Sequence, residues 1–281
     1  MSKLAQVGEF SKLKVLRKTE FGFYLESSDE NGILIPGRYA PEDLTIGDHI
    51  IVFVYRDSED RVIATTLKPY GSIGDVRYLK VVSVNNIGAF LDWGLPKDLM
   101  VPYKEQDVRM IEGKSYLVMI YKDKKTDRML ASSRLKKFIK NDIIPLHEKK
   151  KVEIIVAQKT DLGFKVIVEN KYWGMVYNNE IFQELFIGKK IFGFIKKIRS
   201  DKKIDITLQA EGYSSIEASA AVIVKKLKQE NGKLPYSDQS EAVSIKKEFS
   251  MSKKSFKKAL GYLYKARIIE LGENSIRLIE H

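Results

Sequence analysis

The sequence predicts a mainly β protein with an α/β part at its C-terminal end: three tandem five-stranded barrels, then three helices and a hairpin. Three observations carry the prediction. One motif occurs three times with its anchors at fixed spacing, short apolar strands alternate with turn signals through the first two thirds, and the apolar period changes to a helical one after about Tyr213.

The motif is clearest in Asn86-Ile87-Gly88-Ala89-Phe90-Leu91. It recurs as Glu20-Phe21-Gly22-Phe23-Tyr24-Leu25 and as Asp161-Leu162-Gly163-Phe164-Lys165-Val166. Fourteen residues after each glycine stand Pro36, Pro102 and Tyr177, each closing an apolar strand. Twenty-five residues after each come Gly47, Gly113 and Gly188, each opening another. Three anchors held in three copies are an internal repeat, which decides the architecture before any single element does.

The elements follow in order. The first copy has strands over 12–16, 23–25, 33–35, 50–54 and 61–66, with Asn31-Gly32 as a hairpin turn. The second has strands over 77–84, 89–92, 99–101, 116–120 and 128–131. Leu135, Phe138 and Ile139 then sit at helical spacing, so 134–144 is expected to be a short helical connector. The third copy has strands over 152–157, 164–169, 174–177, 191–195 and 204–208. Five short strands per copy at regular spacing are the pattern of small closed barrels. The expected domains are 1–70, 71–145, 146–212 and 213–281.

In the last segment Ile216, Ala220, Ile223, Val224 and Leu227 mark a helix stopped at Asn231-Gly232. Asp238-Gln239-Ser240-Glu241 resembles a capping box for a second helix with Ala242, Ile245 and Phe249 on one face. Ser252 is the expected N-cap of a third, with Phe256, Leu260 and Leu263 inward and Lys254, Lys257, Lys258 and Lys265 outward. A hairpin around Gly272-Glu273-Asn274 ends the chain. This is a winged-helix order of elements.

Composition narrows the function. The chain has 281 residues, 44% of them hydrophobic, enough for several packed cores. Charged residues make up 31% and no run of about 18 apolar residues occurs, so a membrane protein is not expected. The first twenty residues lack a signal-peptide core and cysteine is absent, which points to the cytoplasm. The net charge of +12 suits a polyanion partner. It is unevenly placed: residues 1–70 hold 9 basic and 11 acidic side chains, while the other three segments each carry a basic excess. Between Lys246 and Arg267 stand eight basic residues and one acid, Glu248. Catalysis is not expected. His49, His147 and His281 are scattered, no nucleotide loop, nucleophile elbow or metal-spaced cluster appears, and Asp57 and Asp60 read as turn chemistry. No cofactor is expected.

The three copies resemble S1 domains, which are oligonucleotide/oligosaccharide-binding (OB-fold) barrels of RNA metabolism. The resemblance rests on the strand-turn-strand around Gly22, Gly88 and Gly163, the third strand ending at Pro36, Pro102 or Tyr177, and the Asp57–Arg61 turn with its longer counterpart Asp123–Arg128. Three such barrels and a winged helix together resemble the bacterial conserved virulence factor B family. That resemblance implies contact with RNA rather than catalysis. It also implies site positions beside the strand-two glycine, at the end of strand three and in the last turn. These fall on Phe21, Tyr24, Asp57 and Arg61 in the first copy, on Phe90, Asp123 and Arg128 in the second, and on Lys165, Tyr177 and Lys203 in the third. Ile87 and Leu162 replace the first aromatic, and Lys203 replaces the arginine.

The chemistry is that of unpaired strands: rings stack on exposed bases and cations neutralise phosphates. Tyr24 and Phe90 stand evenly between stacking and core, Tyr177 favours the surface as an amphipathic phenol, and Trp93 and Trp173 read as core. The lysines of the third helix suit phosphates of a duplex or of RNA; that helix offers no Asn or Gln to read bases. The expected function is that of a non-catalytic, RNA-binding post-transcriptional regulator. The alternatives are a protein-interaction adaptor of the transcription or RNA-decay machinery and a DNA-binding regulator acting through the winged helix.

Overall fold

The computed structural model describes residues 5–279 apart from 29, 182 and 209–215. The chain forms two compact units, Met1–Ile139 and Lys140–His281.

In the first unit β1 (Phe10–Thr19), β2 (Gly22–Leu25), β3 (Ile33–Pro36), β4 (His49–Arg56) and β5 (Val62–Thr65) close a barrel in the order β1-β2-β3-β5-β4. Alternation decides the faces: Leu13, Val15, Leu25, Ile33, Ile35, Val52 and Val54 point inward and are buried. β1 must serve two neighbours, and a register shift between Val15 and Arg17 bends it from β4 toward β2.

β6 (Val76–Val84), β7 (Gly88–Leu91), β8 (Leu99–Pro102), β9 (Ser115–Lys122) and β10 (Met129–Ser132) repeat the order, with the same shift between Val81 and Ser83. Here β8 and β10 lie side by side but form no ladder, so the second barrel has an open seam where the first is closed.

The two barrels share apolar matter. β4 is buried on both faces: Val54 enters its own core, while Phe53 and Tyr55 join the core of the second barrel. The Phe53 ring meets Trp93 edge-on at 5.9 Å and Phe10 at 5.1 Å. Trp93 is buried, as its sequence reading has it, and donates its indole N–H to the Lys97 carbonyl at 2.6 Å.

The helical connector expected over 134–144 shrinks to one 3₁₀ turn, Leu135–Lys137. Phe138 stacks on Tyr121 at 5.3 Å and Lys137 binds Glu105 at 2.9 Å, so the segment is fastened to the second barrel. Pro145 also disfavours helix at Ile144, the far end of the expected connector.

In the second unit β11 (Lys151–Thr160), β12 (Gly163–Val168), β13 (Tyr172–Tyr177), β14 (Lys190–Ile198) and β15 (Ile204–Thr207) close a barrel of the same order. The shift returns, between Val156 and Gln158. In all three copies it begins seven residues before the motif glycine. That glycine is required: a Cβ on Gly163 would stand 2.1 Å from the Val176 carbonyl oxygen, and one on Gly22 or Gly88 would collide in the same way with strand three.

The C-terminal part holds α1 (Ile216–Gln229), β16 (Lys233–Leu234), α2 (Ala242–Phe249), α3 (Lys253–Lys265), β17 (Ile269–Leu271) and β18 (Ile276–Leu278). Its sheet runs β16-β18-β17, so the expected hairpin gains a third strand that two residues were too short to announce. α1 ends as its Asn-Gly predicts: both residues have positive φ, and the Gly232 N–H bonds the Leu227 carbonyl at 2.7 Å. Ser252 caps α3 by accepting from the Ser255 N–H at 3.1 Å. The capping box is a correction. Glu241 is the N-cap of α2 and makes no side-chain cap bond, because Ser240 instead closes a turn onto the Ser237 N–H at 2.8 Å. Ile223, Leu227, Ile245, Phe249, Phe256 and Leu260 fill one core beneath the sheet. Among the described residues no helix is long and apolar enough to cross a membrane.

Candidate nucleic-acid interface

The three barrels present the same surface in different chemistry. The residue before each motif glycine caps a tight turn between two strands, and its side chain has no core to enter. Phe21, Ile87 and Leu162 are accordingly 67%, 52% and 63% exposed. One strand position on, the outward residues Tyr24, Phe90 and Lys165 are half-buried and face Leu34, Met100 and Met175 across the ladder.

In the first barrel the Arg17 guanidinium lies 4.0 Å over the Tyr24 ring and donates to the Asn31 carbonyl at 3.3 Å. Arg61 is spent locally. Its Nε and Nη2 bind Asp57 at 2.8 and 2.7 Å, and a third nitrogen meets Glu59 at 2.8 Å. The pair braces the β4–β5 turn, and two carboxylates offset one cation there.

The second barrel uses the corresponding residues otherwise. Its turn is one residue longer, and Thr126 caps Asp123 with its N–H and hydroxyl at 3.1 and 2.7 Å. The Arg128 carbonyl still accepts from the Asp123 N–H at 2.9 Å, but the Arg128 guanidinium does not turn to the Asp123 carboxylate. It forms a two-pronged bond to both oxygens of Asp60 in the first barrel, each at 3.0 Å. Hydrogen bonding from Arg128 holds the Asp60 carboxyl below its ordinary range. Lys97 crosses the same gap to the Asp57 carbonyl, and burial pushes its ammonium pKa down. Burial also raises the Tyr55 phenol beside it to about 12.

A pH prediction follows from the depressed Asp60. The folded state favours its charged form, so the bridge contributes fully above the ordinary aspartate value of about 3.9 and is lost as pH falls through the lower folded value. A carbon-detected NMR titration of the Asp60 carboxyl should give a midpoint below that of Asp60 in the Arg128→Gln variant.

The third barrel gathers its candidate groups on one face. Along β13 the buried Gly174 and Val176 alternate with half-exposed Trp173, Met175 and Tyr177. Lys165 holds its ammonium 3.9 Å from the Trp173 ring centre. Arg199 donates from Nη2 to the Tyr177 hydroxyl at 2.8 Å and from Nε to Asp205 at 2.9 Å. Asn141 fixes the Trp173 backbone through two bonds of 2.8 Å. Lys203 stands outside this set, paired with Asp201 at 2.8 Å. Trp173 thus corrects its core reading: it stands on the outer row of its strand because β13 carries its small and β-branched residues inward. The alternation in Tyr172-Trp173-Gly174-Met175-Val176-Tyr177 was the available signal. Arg199 was missed because it occupies the turn position that holds Asp57 and Asp123 in the other copies.

On α3 the residues Lys254, Lys257, Lys258 and Lys265 are all exposed, with Tyr262 and Tyr264 beside them. Lys257 approaches Asp238 at only 3.4 Å, and the helix has no acid in its first turn. In the same unit Lys246 of α2 donates to the Asn178 carbonyl of the third barrel at 3.0 Å.

Comparison with known proteins places these modules. The S1 domain model matches residues 7–67 and 73–133, and the CvfB-like winged helix domain model matches residues 221–278. The chain is 28% identical to the uncharacterized protein YitL of Bacillus subtilis, over 92% of this chain and 89% of the relative. It is 25% identical to conserved virulence factor B of Staphylococcus aureus strain USA300, over 84% and 81%. Among solved structures it is similar to a multidomain protein with nucleic acid binding domains from Streptococcus pneumoniae TIGR4, at 22% identity and TM-score 0.44, over 97% and 98% of the two chains.

Proposed function

Because the chain belongs to the conserved virulence factor B family, with S1 domains followed by a CvfB-like winged helix, we propose that it binds single-stranded RNA in the cytoplasm and regulates gene expression after transcription, without catalysing a reaction. The observation that carries this reading is the outer face of the third barrel, where two aromatic rings are each held by a cation: Trp173 by Lys165 and Tyr177 by Arg199. Rings of this kind stack on unpaired bases of any sequence, and the paired cations reach backbone phosphates. The lysine row of α3 adds phosphate contacts within the same unit, on structured or duplex segments. Linking weak sites on one chain raises the effective concentration of each.

A salt titration of the full chain with a labelled single-stranded RNA tests the reading. Affinity should fall steeply between low and physiological salt, with a log–log slope of about −0.7 per phosphate contacted. Trp173→Ala should weaken binding by the cost of one stacked base, about 1–3 kcal/mol, while leaving that slope in place. A flat salt response overturns the proposal. The first barrel supports a different role, because its sequence is net acidic and its Phe21 is the most exposed of the three turn residues. Protein capture that survives nuclease and is lost in Phe21→Ser would assign that barrel to a protein partner.

A further inference from the structure

The outer face of the second barrel is walled off by its neighbour. A cavity of about 430 Å³ lies over the open seam between β8 and β10. Phe90, Met100 and Leu130 form its floor, and the exposed Ile87 stands at its lip. Its far wall is not part of this barrel at all: Ser58 and Asp60, on the β4–β5 turn of the first barrel, close it. The Arg128–Asp60 bridge ties wall to floor, and the shared Phe53–Trp93 packing makes the two barrels one body. A volume within the usual range of about 300–1,000 Å³ for small-molecule pockets suits a ligand the size of a nucleotide, not a strand running across.

The polar groups around the cavity have a definite bias. Arg56, Lys97 and Arg128 face two acids, Asp60 and Asp98, leaving an excess of one positive charge. Arg56 Nη1 donates to the Asp60 carbonyl at 2.8 Å, which holds this guanidinium along the turn. The slot therefore combines an aromatic floor and one net cation, which are complements of a planar base and of its phosphate.

We propose that the first two barrels together form a slot for a single nucleotide, its base laid on Phe90 between the β7–β8 face and the first barrel's β4–β5 turn. The inference deepens the RNA-binding reading and rests on it. In that arrangement the turn of the first barrel serves its neighbour's site, and the slot holds one base while the third barrel takes the running strand.

Trp93 lines the cavity, and the only other tryptophan is Trp173. In a Trp173→Phe background of the full chain, Trp93 fluorescence reports the slot alone. The probes are a single-stranded RNA 12-mer and 5′-AMP, with anisotropy of the labelled RNA recorded in parallel on the unsubstituted chain. Either probe should change Trp93 emission saturably. Ser58→Phe, which fills the slot from an exposed position, should weaken that response at least ten-fold, and Phe90→Leu should weaken it several-fold. A tighter response to RNA shows that a strand presents the base; a tighter response to AMP shows a free-nucleotide site. RNA binding by anisotropy with no Trp93 response, or a response unchanged in Ser58→Phe, overturns the slot and leaves the RNA-binding function standing. No RNA binding at all, with AMP still quenching Trp93, overturns that function instead.

Discussion

Phe53→Ala is expected to destabilise the protein by about 3–5 kcal/mol and to uncouple the first two barrels. Phe53 is fully buried, yet its ring belongs to the core of the second barrel while its backbone belongs to the first. Truncation removes the edge-on contact with Trp93 and the packing on Phe10, and it leaves a void that two rigid sheets cannot close. Two readouts separate this from an ordinary core lesion. Thermal unfolding should lose its shared transition for the two barrels, and Trp93 emission should shift red before global unfolding. Val52→Ala, buried wholly in the first barrel's own core, is the comparison: it should lower stability without an early Trp93 shift.

Gly163→Ala should be the most damaging of the glycine substitutions in the third barrel. Its φ of +144° is one that residues with a Cβ rarely adopt, and the added carbon would stand 2.1 Å from the Val176 carbonyl oxygen and 2.9 Å from Tyr177 Cα. Both obstacles are backbone atoms of β13 and cannot swing aside. Strain alone costs roughly 1–3 kcal/mol, so with the collision the loss should be at least 3 kcal/mol. Gly113→Ala separates the two effects. That glycine has φ +79° with nothing within 4 Å of the added carbon, so it should cost only the backbone strain, about 1–2 kcal/mol. Trp173 fluorescence follows unfolding of the third barrel. Because Gly163 faces Tyr177 in the ladder, a refolded variant should also lose RNA affinity through the displaced Tyr177–Arg199 pair.

How far the sequence carried this reading depends on what each feature is made of. Periodicity and turn chemistry are local, so the strands, the three motif glycines, the Ser252 cap and the Asn231-Gly232 stop were all legible. The equal spacing of the anchors was enough to show one barrel order three times. Partnerships between copies were not legible. Nothing in Asp123-x-x-x-x-Arg128 tells that Arg128 leaves its own turn for Asp60, because that depends on where another barrel's turn sits. Arg199 escaped for a related reason: the pair it makes with Asp205 replaces the Asp–Arg pairing of the turn with one between neighbouring strands. The double burial of β4 left a trace in the continuous run Val52-Phe53-Val54-Tyr55, where alternation should have placed a polar residue. The connector shrank to one turn while its side chains bind the second barrel, Phe138 on Tyr121 and Lys137 on Glu105, and such contacts are not written in a helical spacing of apolar residues.

The first turn of α3 carries Lys253 and Lys254 and no acid, an arrangement opposed by the positive end of the helix dipole. The isolated winged helix therefore holds mutual repulsion that dissolved ions relieve. Raising ionic strength should make this domain harder to melt over the same range in which it loosens any grip on a phosphodiester chain. The module would be least comfortable alone in dilute buffer, and a bound polyanion would do for it what added electrolyte does in the test tube.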